Sequence, residues 1–175
     1  MRIIAGRWRG HSIAAPPGRH TRPTTDRVRE AWMSVLQLDL PGSRVLDLYA
    51  GSGALGLEAL SRGASHVTFV ERSSGAIRAL DANIDRLGAG ENVTVVRGDA
   101  LAYVQRLGRR AFDLALADPP YETGAAASLV EAFLREPFAG WLWIEHRASE
   151  ELPEVPDVWT RRYGDTALTA IAAPD

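Results

Sequence analysis

The sequence predicts an α/β fold built on a doubly wound, mostly parallel sheet of seven strands. Short apolar runs of strand length alternate along the 175-residue chain with amphipathic helical segments, which is the pattern of repeated β-α-β units. A glycine-rich loop follows the first predicted strand and opens a helix, as in nucleotide-binding sheets of this type. Two further short strands near the C terminus complete the sheet, and we expect them to form an antiparallel edge with the fifth strand.

The boundaries of the elements follow from where the apolar runs stop. The first helix begins at Thr24 or Thr25, with a threonine cap and Asp26 in its first turn, and it ends at Pro41-Gly42. The later elements are bounded by glycine, proline or polar residues. Strands are predicted at Arg44–Ala50, Val67–Glu71, Val93–Arg97, Phe112–Ala117, Trp141–Glu145, Trp159–Tyr163 and Leu168–Ala172. Helices are predicted at Ala54–Arg62, Ser73–Leu87, Ala100–Leu107 and Ser128–Leu134.

Composition excludes several classes of protein. The chain has no cysteine, which excludes a disulfide scaffold, a thiolate metal site and a cysteine nucleophile. Methylation at pyrimidine C5 usually needs such a nucleophile, so that chemistry is disfavoured. No apolar run approaches the ~18 residues of a membrane span and no secretory signal is visible, so we expect a cytoplasmic protein. The four histidines are not spaced as metal ligands, and we expect no metal.

Positive charge is concentrated near the N terminus. The net charge is −2, yet residues 1–30 contain seven arginines and only two acids. Glycines and prolines interrupt residues 1–24, so we predict a basic N-terminal extension there, compatible with a short β-hairpin, followed by one domain over residues 25–175. Arg7-Trp8-Arg9 places an aromatic ring between two cations, as base stacking and phosphate pairing require. Alternatively, Trp8 anchors the extension to the body and the arginines form a solvated tail.

A glycine loop after the first strand predicts a nucleotide-like ligand. Gly51 to Gly56 matches the pattern G-x-G-x-x-G, and Glu71 follows about 20 residues later, where an acid can bind ribose hydroxyls. Asp47 precedes the loop inside the strand, where a buried carboxylate needs a partner. A cationic ammonium group would suit it and a pyrophosphate would be repelled; alternatively, loop amides donate to it. Asp99 ends the third strand and could accept from an adenine amine or cap the next helix.

The turn after the fourth predicted strand carries the candidate chemistry. Asp118-Pro119-Pro120-Tyr121 follows the apolar run Phe112–Ala117, and two prolines cannot extend a ladder or a helix there. The result is a rigid turn that presents a carboxylate, carbonyl acceptors and an aromatic ring, a set that suits a planar base with an exocyclic amine. The alternative is a tight structural turn whose tyrosine packs on a neighbour.

These motifs together resemble a known family over nearly the whole chain. The glycine loop and the Asp118–Tyr121 turn look like those of the class I S-adenosylmethionine-dependent methyltransferases that methylate amino groups. Other segments are similar to the bacterial small-subunit (16S) ribosomal RNA guanine-N2 methyltransferases, although Ala167 stands where a basic residue is expected. Those segments are Arg2 to Gly6, Trp8 to Gly10, Arg22 to Glu30, Glu58 to Ala64 and Tyr163-Gly164-Asp165-Thr166.

The resemblance implies transfer of a methyl group from S-adenosyl-L-methionine to the exocyclic N2 of a guanine in 16S ribosomal RNA. The implied partner is ribosomal RNA within an assembling small subunit, and we expect a monomer. Cofactor-binding residues are expected at Asp47, Tyr49, Gly51, Ser52, Gly53, Glu71, Arg72, Asp99, Ala100 and Asp118. Catalytic residues are expected at Asp118, Pro119, Pro120 and Tyr121. Nucleic-acid-binding residues are expected at Arg7, Trp8, Arg9, Arg22, Arg27 and Arg29.

Three other functions remain open from the sequence. An amino-methyltransferase acting on adenine or cytosine in DNA would use the same acidic turn, and the N-terminal signature argues against it. A nicotinamide oxidoreductase would use the same glycine loop, but no separate substrate domain or hydride-transfer site is visible. A non-catalytic nucleic-acid-binding module would keep the fold, yet the acid, both prolines and the aromatic of the turn are all intact.

Overall fold

The computed structural model describes residues 1–15 and 23–175, and only the backbone of residues 23–25. Within those ranges the chain forms seven strands, five α-helices and one short 3-10 helix at Gly90–Asn92. The strands are β1 Arg44–Leu48, β2 His66–Glu71, β3 Val93–Arg97, β4 Phe112–Ala117, β5 Ala139–Arg147, β6 Trp159–Tyr163 and β7 Thr166–Ala172. The helices are α1 Pro23–Leu36, α2 Ala54–Ser61, α3 Ser74–Leu87, α4 Ala100–Val104 and α5 Ala125–Arg135.

All seven strands form one sheet in the order β3-β2-β1-β4-β5-β7-β6. The neighbours from β3 to β5 pair in parallel, whereas β7 is antiparallel to both β5 and β6. The doubly wound, mostly parallel fold is therefore confirmed. The expected antiparallel edge of the fifth strand and the last two is also confirmed, since β7 pairs antiparallel with both β5 and β6, while β5 joins the parallel part of the sheet through β4. The strand order reverses between β1 and β4, which is where such sheets bind ligands.

The ends of several elements differ from the predictions for local reasons. Strand β1 stops at Leu48, because Tyr49 adopts a left-handed backbone with φ 57° and leaves the ladder. Helix α1 begins at Pro23, one or two residues early, since proline suits the first helical position. Helix α5 begins at Ala125, after Gly124 in a left-handed conformation. Strand β5 is nine residues long, because β7 on its other side extends the pairing to Arg147.

The core consists of two apolar layers, one on each face of the sheet. Alternate residues of β1 divide between them: Val45 packs with residues of α1, α2 and α3, and Leu46 packs with residues of α4 and α5. Phe133 and Phe138 meet edge to face in the second layer, with ring centroids 5.3 Å apart. Asp47 points to the same face as Val45, because side chains alternate along a strand.

Residues 1–13 form a hairpin-like segment, with an antiparallel bridge between Arg2 and Ser12, on the α2 side of the sheet. The amide of Ile3 donates to the carbonyl of His11, and the amide of Ile13 donates to that of Met1. The buried carboxylate of Glu58 on α2 accepts from the amides of Ile4 and Ala5. The segment is thus held by hydrogen bonds to a buried carboxylate, and its division from the domain over residues 25–175 stays a prediction.

Candidate active site

The sheet brings the glycine loop and the acidic turn to one place. Strands β1 and β4 are parallel neighbours, and Leu48 lies opposite Ala117 in their register. The glycine loop leaves β1 directly after this point, and the turn that begins at Asp118 leaves β4. Two sequence motifs that are about 65 residues apart therefore meet at the carboxyl edge of the sheet, where the strand order reverses. The charge of Asp118 is close enough to act on Asp47 and on Glu145.

Two glycines allow α2 to pack tightly behind this edge. Gly53 caps α2 with φ 86°, and a Cβ added there would lie 2.4 Å from Cδ1 of Leu80. A Cβ on Gly56 would lie 2.4 Å from Cε1 of Phe69 and 2.9 Å from Oδ2 of Asp47. The third glycine of the motif is thus required for close packing of the helix against the strands.

Asp47 is a buried acid with one unsatisfied oxygen. Its side chain is 1% exposed, and its Oδ2 accepts from the amide of Gly56 at 2.9 Å. Its Oδ1 has no hydrogen-bond partner among the described residues. Burial raises the pKa of Asp47 well above its ordinary value, the charges of Asp118 and Glu71 add to this, and the Gly56 amide opposes it. The alternative that loop amides satisfy Asp47 holds for one oxygen, and the other fits a donor on a cationic ligand.

Glu71 ties the glycine loop to the start of α3. Its Oε2 accepts from the amide of Gly51 at 2.8 Å, and its Oε1 accepts from the amides of Arg72 and Ser73 at 2.9 Å. Each carboxylate oxygen has two lone pairs, so Oε1 is filled by its two amides and Oε2 keeps one acceptor position for a ribose hydroxyl.

Asp99 and Ala100, two further expected cofactor-binding residues, directly follow β3. Asp99 caps α4, with Oδ2 accepting from the amide of Ala102 at 2.9 Å, and the residue that follows it, Ala100, is buried. The capping alternative for Asp99 is therefore observed, and it uses one oxygen. The carbonyl of Ser52 in the glycine loop accepts from Nδ2 of Asn83.

The turn from Asp118 to Tyr121 is fixed at its aromatic end. Asp118 is partly exposed, Pro119 is buried and Pro120 is exposed. The hydroxyl of Tyr121 donates to Oε1 of Glu145 at 2.9 Å, and it lies 3.1 Å from Oγ1 of Thr166. Burial, the largest cause, raises the pKa of Tyr121 above its ordinary value. The ring is held in one place, which a stacking surface requires.

Glu145 is a site residue that the sequence reasoning missed. It lies in β5 and is 7% exposed. Burial raises its pKa to about 8, the negative charge of Asp118 adds to this, and the hydrogen bond from Tyr121 opposes it. A signal existed, because the predicted fifth strand ended at this acid in the same way that the second strand ended at Glu71. Thr166 was marked only as part of the segment Tyr163-Gly164-Asp165-Thr166, without a role, and no signal marked Asn83, whose contacts are tertiary.

The structure corrects two of the expected nucleic-acid-binding residues. Trp8 is 8% exposed and packs in the apolar core, and its backbone amide donates to Oγ of Ser61. Arg29 is 5% exposed and donates to the carbonyl of Arg2. A buried ring cannot stack on a base and a buried guanidinium cannot reach a phosphate, so both are structural side chains. Trp8 follows the anchoring alternative.

The remaining N-terminal candidates differ in what the structure says of them. Arg7, Arg9 and Arg27 are exposed, and the guanidinium carbon of Arg7 lies 4.0 Å from the centroid of the Trp8 ring. Arg22 lies outside the described residues.

Within residues 1–15 and 23–175, no group of three or more histidine, cysteine or acidic side chains could hold a metal ion. In that same part of the chain, every helix is too short or too polar to cross a membrane.

A sheet in this order, with a glycine loop and an acidic proline turn at its reversal point, is the frame of a class I methyltransferase. Asp47, the Gly51–Gly53 loop and Glu71 suit its cofactor, S-adenosylmethionine. The protein is thus an S-adenosylmethionine-dependent methyltransferase. It belongs to the family described as conserved hypothetical protein 95, whose model matches residues 1–172.

Known proteins of similar sequence and structure agree with this class. The ribosomal RNA small subunit methyltransferase D of Escherichia coli K12 is 36% identical over 166 residues, which cover 91% of this chain and 81% of that protein. A solved structure of a hypothetical protein from Thermus thermophilus is 33% identical with a TM-score of 0.82, and covers 98% and 99% of the two chains. The T. thermophilus 16S rRNA N2 G1207 methyltransferase, at 20% identity and a TM-score of 0.68, covers 90% and 45% and shares the fold.

Proposed function

We propose that this enzyme methylates the exocyclic N2 of a guanine in small-subunit (16S) ribosomal RNA. Ribosomal RNA as the substrate is supported by relatives that carry the name ribosomal RNA small subunit methyltransferase D. An amine as the target is supported by one observation, which carries the proposal: the rigid turn from Asp118 to Tyr121 lies beside the glycine loop, at the point where the strand order reverses.

The residues that would hold the cofactor lie on three neighbouring strand ends. Asp47 and the loop from Tyr49 to Gly53 follow from β1, Glu71 and Arg72 from β2, and Asp99 and Ala100 from β3. The unsatisfied Oδ1 of Asp47 would accept from a cationic ammonium, and the free acceptor position on Oε2 of Glu71 would accept from a ribose hydroxyl. When bound, the cofactor supplies an electrophilic methyl group on a positively charged sulfur.

Asp118 and Pro119 would prepare the amine of the target base. The lone pair of guanine N2 is delocalised into the ring, which makes the amine a poor nucleophile. We place the Asp118 carboxylate and the Pro119 carbonyl as acceptors for its two protons, so that the lone pair becomes available for attack. Tyr121 would stack on the base after it leaves its helix. No strong base is needed, because a methylated ammonium loses its proton readily.

The exposed N-terminal arginines would bind the phosphate backbone. Arg7, Arg9 and Arg27 fit this role by exposure, and Arg22 remains a candidate. Replacing two contacting arginines should reduce the slope of log K against log salt by about 1.4–1.8, since each phosphate contact contributes about 0.7–0.9. An unchanged slope would show that these arginines do not contact phosphate.

The substrate would be an assembling small subunit in the cytoplasm, and this protein would bind it as a monomer.

Nucleoside analysis tests the proposal. The purified protein is incubated with methyl-labelled cofactor and either naked 16S RNA, isolated small subunits or duplex DNA, and each product is digested and analysed by mass spectrometry. We expect label in N2-methylguanosine from one of the ribosomal substrates. Label in adenine or cytosine of the DNA would support the DNA alternative instead. No labelled nucleoside from any substrate would refute methylation of nucleic acid.

A further inference from the structure

The turn between β6 and β7 lies beside the turn from Asp118 to Tyr121 because β7 runs antiparallel to β5. Strands β4 and β5 run parallel, and β7 runs antiparallel to β5, so that Thr166 at the start of β7 lies opposite Arg147 at the end of β5. Residues from the beginning of β7 therefore share the sheet edge with the carboxyl ends of β4 and β5. Thr166 belongs to Tyr163-Gly164-Asp165-Thr166, the segment near the C terminus that no step of the proposed function uses.

The turn is fastened at this edge by hydrogen bonds of its own. The amide of Ala148 donates to the carbonyl of Asp165 at 2.7 Å, and Nε of Arg162 donates to the carbonyl of Gly164 at 2.9 Å. Gly164 has a φ of 60°, a left-handed conformation that favours glycine in a two-residue hairpin. The position of Thr166 is thus set by the backbone rather than by its side chain alone.

Two side chains from different strands hold one hydroxyl. The Tyr121 hydroxyl donates to Oε1 of Glu145 and makes a second hydrogen bond with Oγ1 of Thr166, in which Thr166 donates as long as the tyrosine proton points to Glu145. The guanidinium of Arg147 lies over the tyrosine ring, 5.2 Å from its centroid. One face of the ring is therefore covered, and a base can stack only on the opposite face.

We propose that Glu145 and Thr166 are positioning residues for methyl transfer, which hold Tyr121 so that its ring sets the plane of the target base. This inference rests on the proposed function. It assigns to the β6–β7 turn and to the end of β5 a part in catalysis that is exerted through Tyr121 and involves no contact with the substrate. A base held in a fixed plane keeps its amine aligned for transfer, and small misplacements of reacting groups lower rates strongly.

The charges around Glu145 are consistent with this role. The groups that interact with it are Asp118 after β4 and Tyr121 in the same turn, while Arg147 of its own strand lies over the Tyr121 ring. Burial and Asp118 raise the pKa of Glu145 to about 8, so it holds a proton at neutral pH. A neutral carboxyl can accept from the tyrosine without adding a second negative charge beside Asp118.

A double-mutant cycle tests the inference with the full-length protein and ribosomal substrate. Single-turnover methyl transfer is measured at saturating cofactor and RNA for the variants Tyr121→Phe, Thr166→Val and the double variant. Thr166→Val removes one neutral hydrogen bond and should slow transfer roughly three- to tenfold, whereas Tyr121→Phe removes the bonds to both Glu145 and Thr166 and should slow it at least as much. The double variant should be no slower than Tyr121→Phe, because Thr166 acts only through the hydroxyl. The KM for cofactor should stay within about twofold.

Matched variants separate positioning from general damage to the sheet edge. Thr160→Val removes a hydroxyl from a threonine pair between β6 and β7, 3.0 Å from Thr169, and should leave the rate at the wild-type value. Glu145→Gln keeps a neutral acceptor for the tyrosine and should retain more activity than Glu145→Leu. If Glu145→Leu does not fold, the threonine and tyrosine variants still decide.

Two results would overturn the inference alone. They are a wild-type rate for Thr166→Val or Tyr121→Phe, and a double variant whose loss equals the product of the single losses. A wild-type protein that transfers no methyl group to guanine N2 would instead overturn the proposed function, and this inference with it.

Discussion

In the wild-type protein, the free energy of unfolding should fall as pH rises from about 5 to 8 because of Glu145. Replacing Glu145 with glutamine should abolish this fall. Burial and the charge of Asp118 raise the pKa of Glu145 from 4.5 to about 8. In this window the folded state keeps a proton that the unfolded state has released. Because the folded state binds more protons, its free energy of unfolding falls as pH rises. The stabilisation is complete below pH 4.5, the ordinary pKa, and is lost as pH rises through about 8.

The magnitude follows from the distance between the two pKa values. Each unit corresponds to about 1.4 kcal/mol, so the interval from pH 5 to pH 8 carries on the order of 3 kcal/mol. Glu145 is 7% exposed, so solvent screens it little. Burial also raises the pKa of Asp47, but that contribution is common to both proteins. The difference between the wild type and the variant therefore reports Glu145 together with its interaction with Asp118.

Urea unfolding in matched buffers between pH 5 and pH 8 measures this difference. The free energy of unfolding of Glu145→Gln should vary less with pH, and the gap from the wild type should change by roughly 3 kcal/mol across the interval. Glu131→Gln, an exposed position on α5, is the matched control and should follow the wild type. Parallel curves for the wild type and Glu145→Gln would show that burial of this acid does not raise its pKa.

Two further substitutions test the packing behind the cofactor loop. Gly56→Ala would place a Cβ 2.4 Å from Phe69 and should lower the free energy of unfolding by about 1–3 kcal/mol, whereas Gly90→Ala meets no atom within 4 Å and should not; equal urea midpoints would contradict this. Asn83→Ala removes hydrogen bonds to the glycine loop at Ser52 and to the N-terminal segment. It should weaken cofactor binding severalfold by calorimetry and speed proteolysis near residue 15, and unchanged values of both would contradict the link.

Much of the fold could be predicted because short strand-like segments between glycine, proline and polar residues can be recognised locally in the sequence. The predicted bounds Val93–Arg97, Phe112–Ala117 and Trp159–Tyr163 coincide with β3, β4 and β6. The pairing of Gly51 with Glu71 also follows from spacing, since the loop after β1 and the end of β2 are neighbours in any such sheet. The residues of β5 alone do not show that it pairs in parallel with β4 and antiparallel with β7, because the direction of pairing depends on the neighbouring strands.

Long-range contacts explain what the sequence could not show. Trp8 and Arg29 are buried by contacts with residues far from them in the chain, and an arginine that donates to a backbone carbonyl looks in sequence like one that binds phosphate. Thr166 lies 45 positions from Tyr121, and its role depends on the antiparallel course of β7. Glu145, an acid at a predicted strand end, offered a local signal, and Thr166 was marked only as a member of the segment Tyr163 to Thr166, which did not indicate its contact with Tyr121.

The most direct test of the account is the variant Asp118→Ala, compared with Asp113→Ala at the exposed opposite end of β4. Cofactor affinity is measured by calorimetry, and methyl transfer to ribosomal RNA is measured in a single turnover. We predict that Asp118→Ala binds the cofactor within a few-fold of the wild type and loses at least about 100-fold in transfer rate, while Asp113→Ala keeps both. A near-wild-type transfer rate for Asp118→Ala would contradict the central claim that this acid prepares the amine.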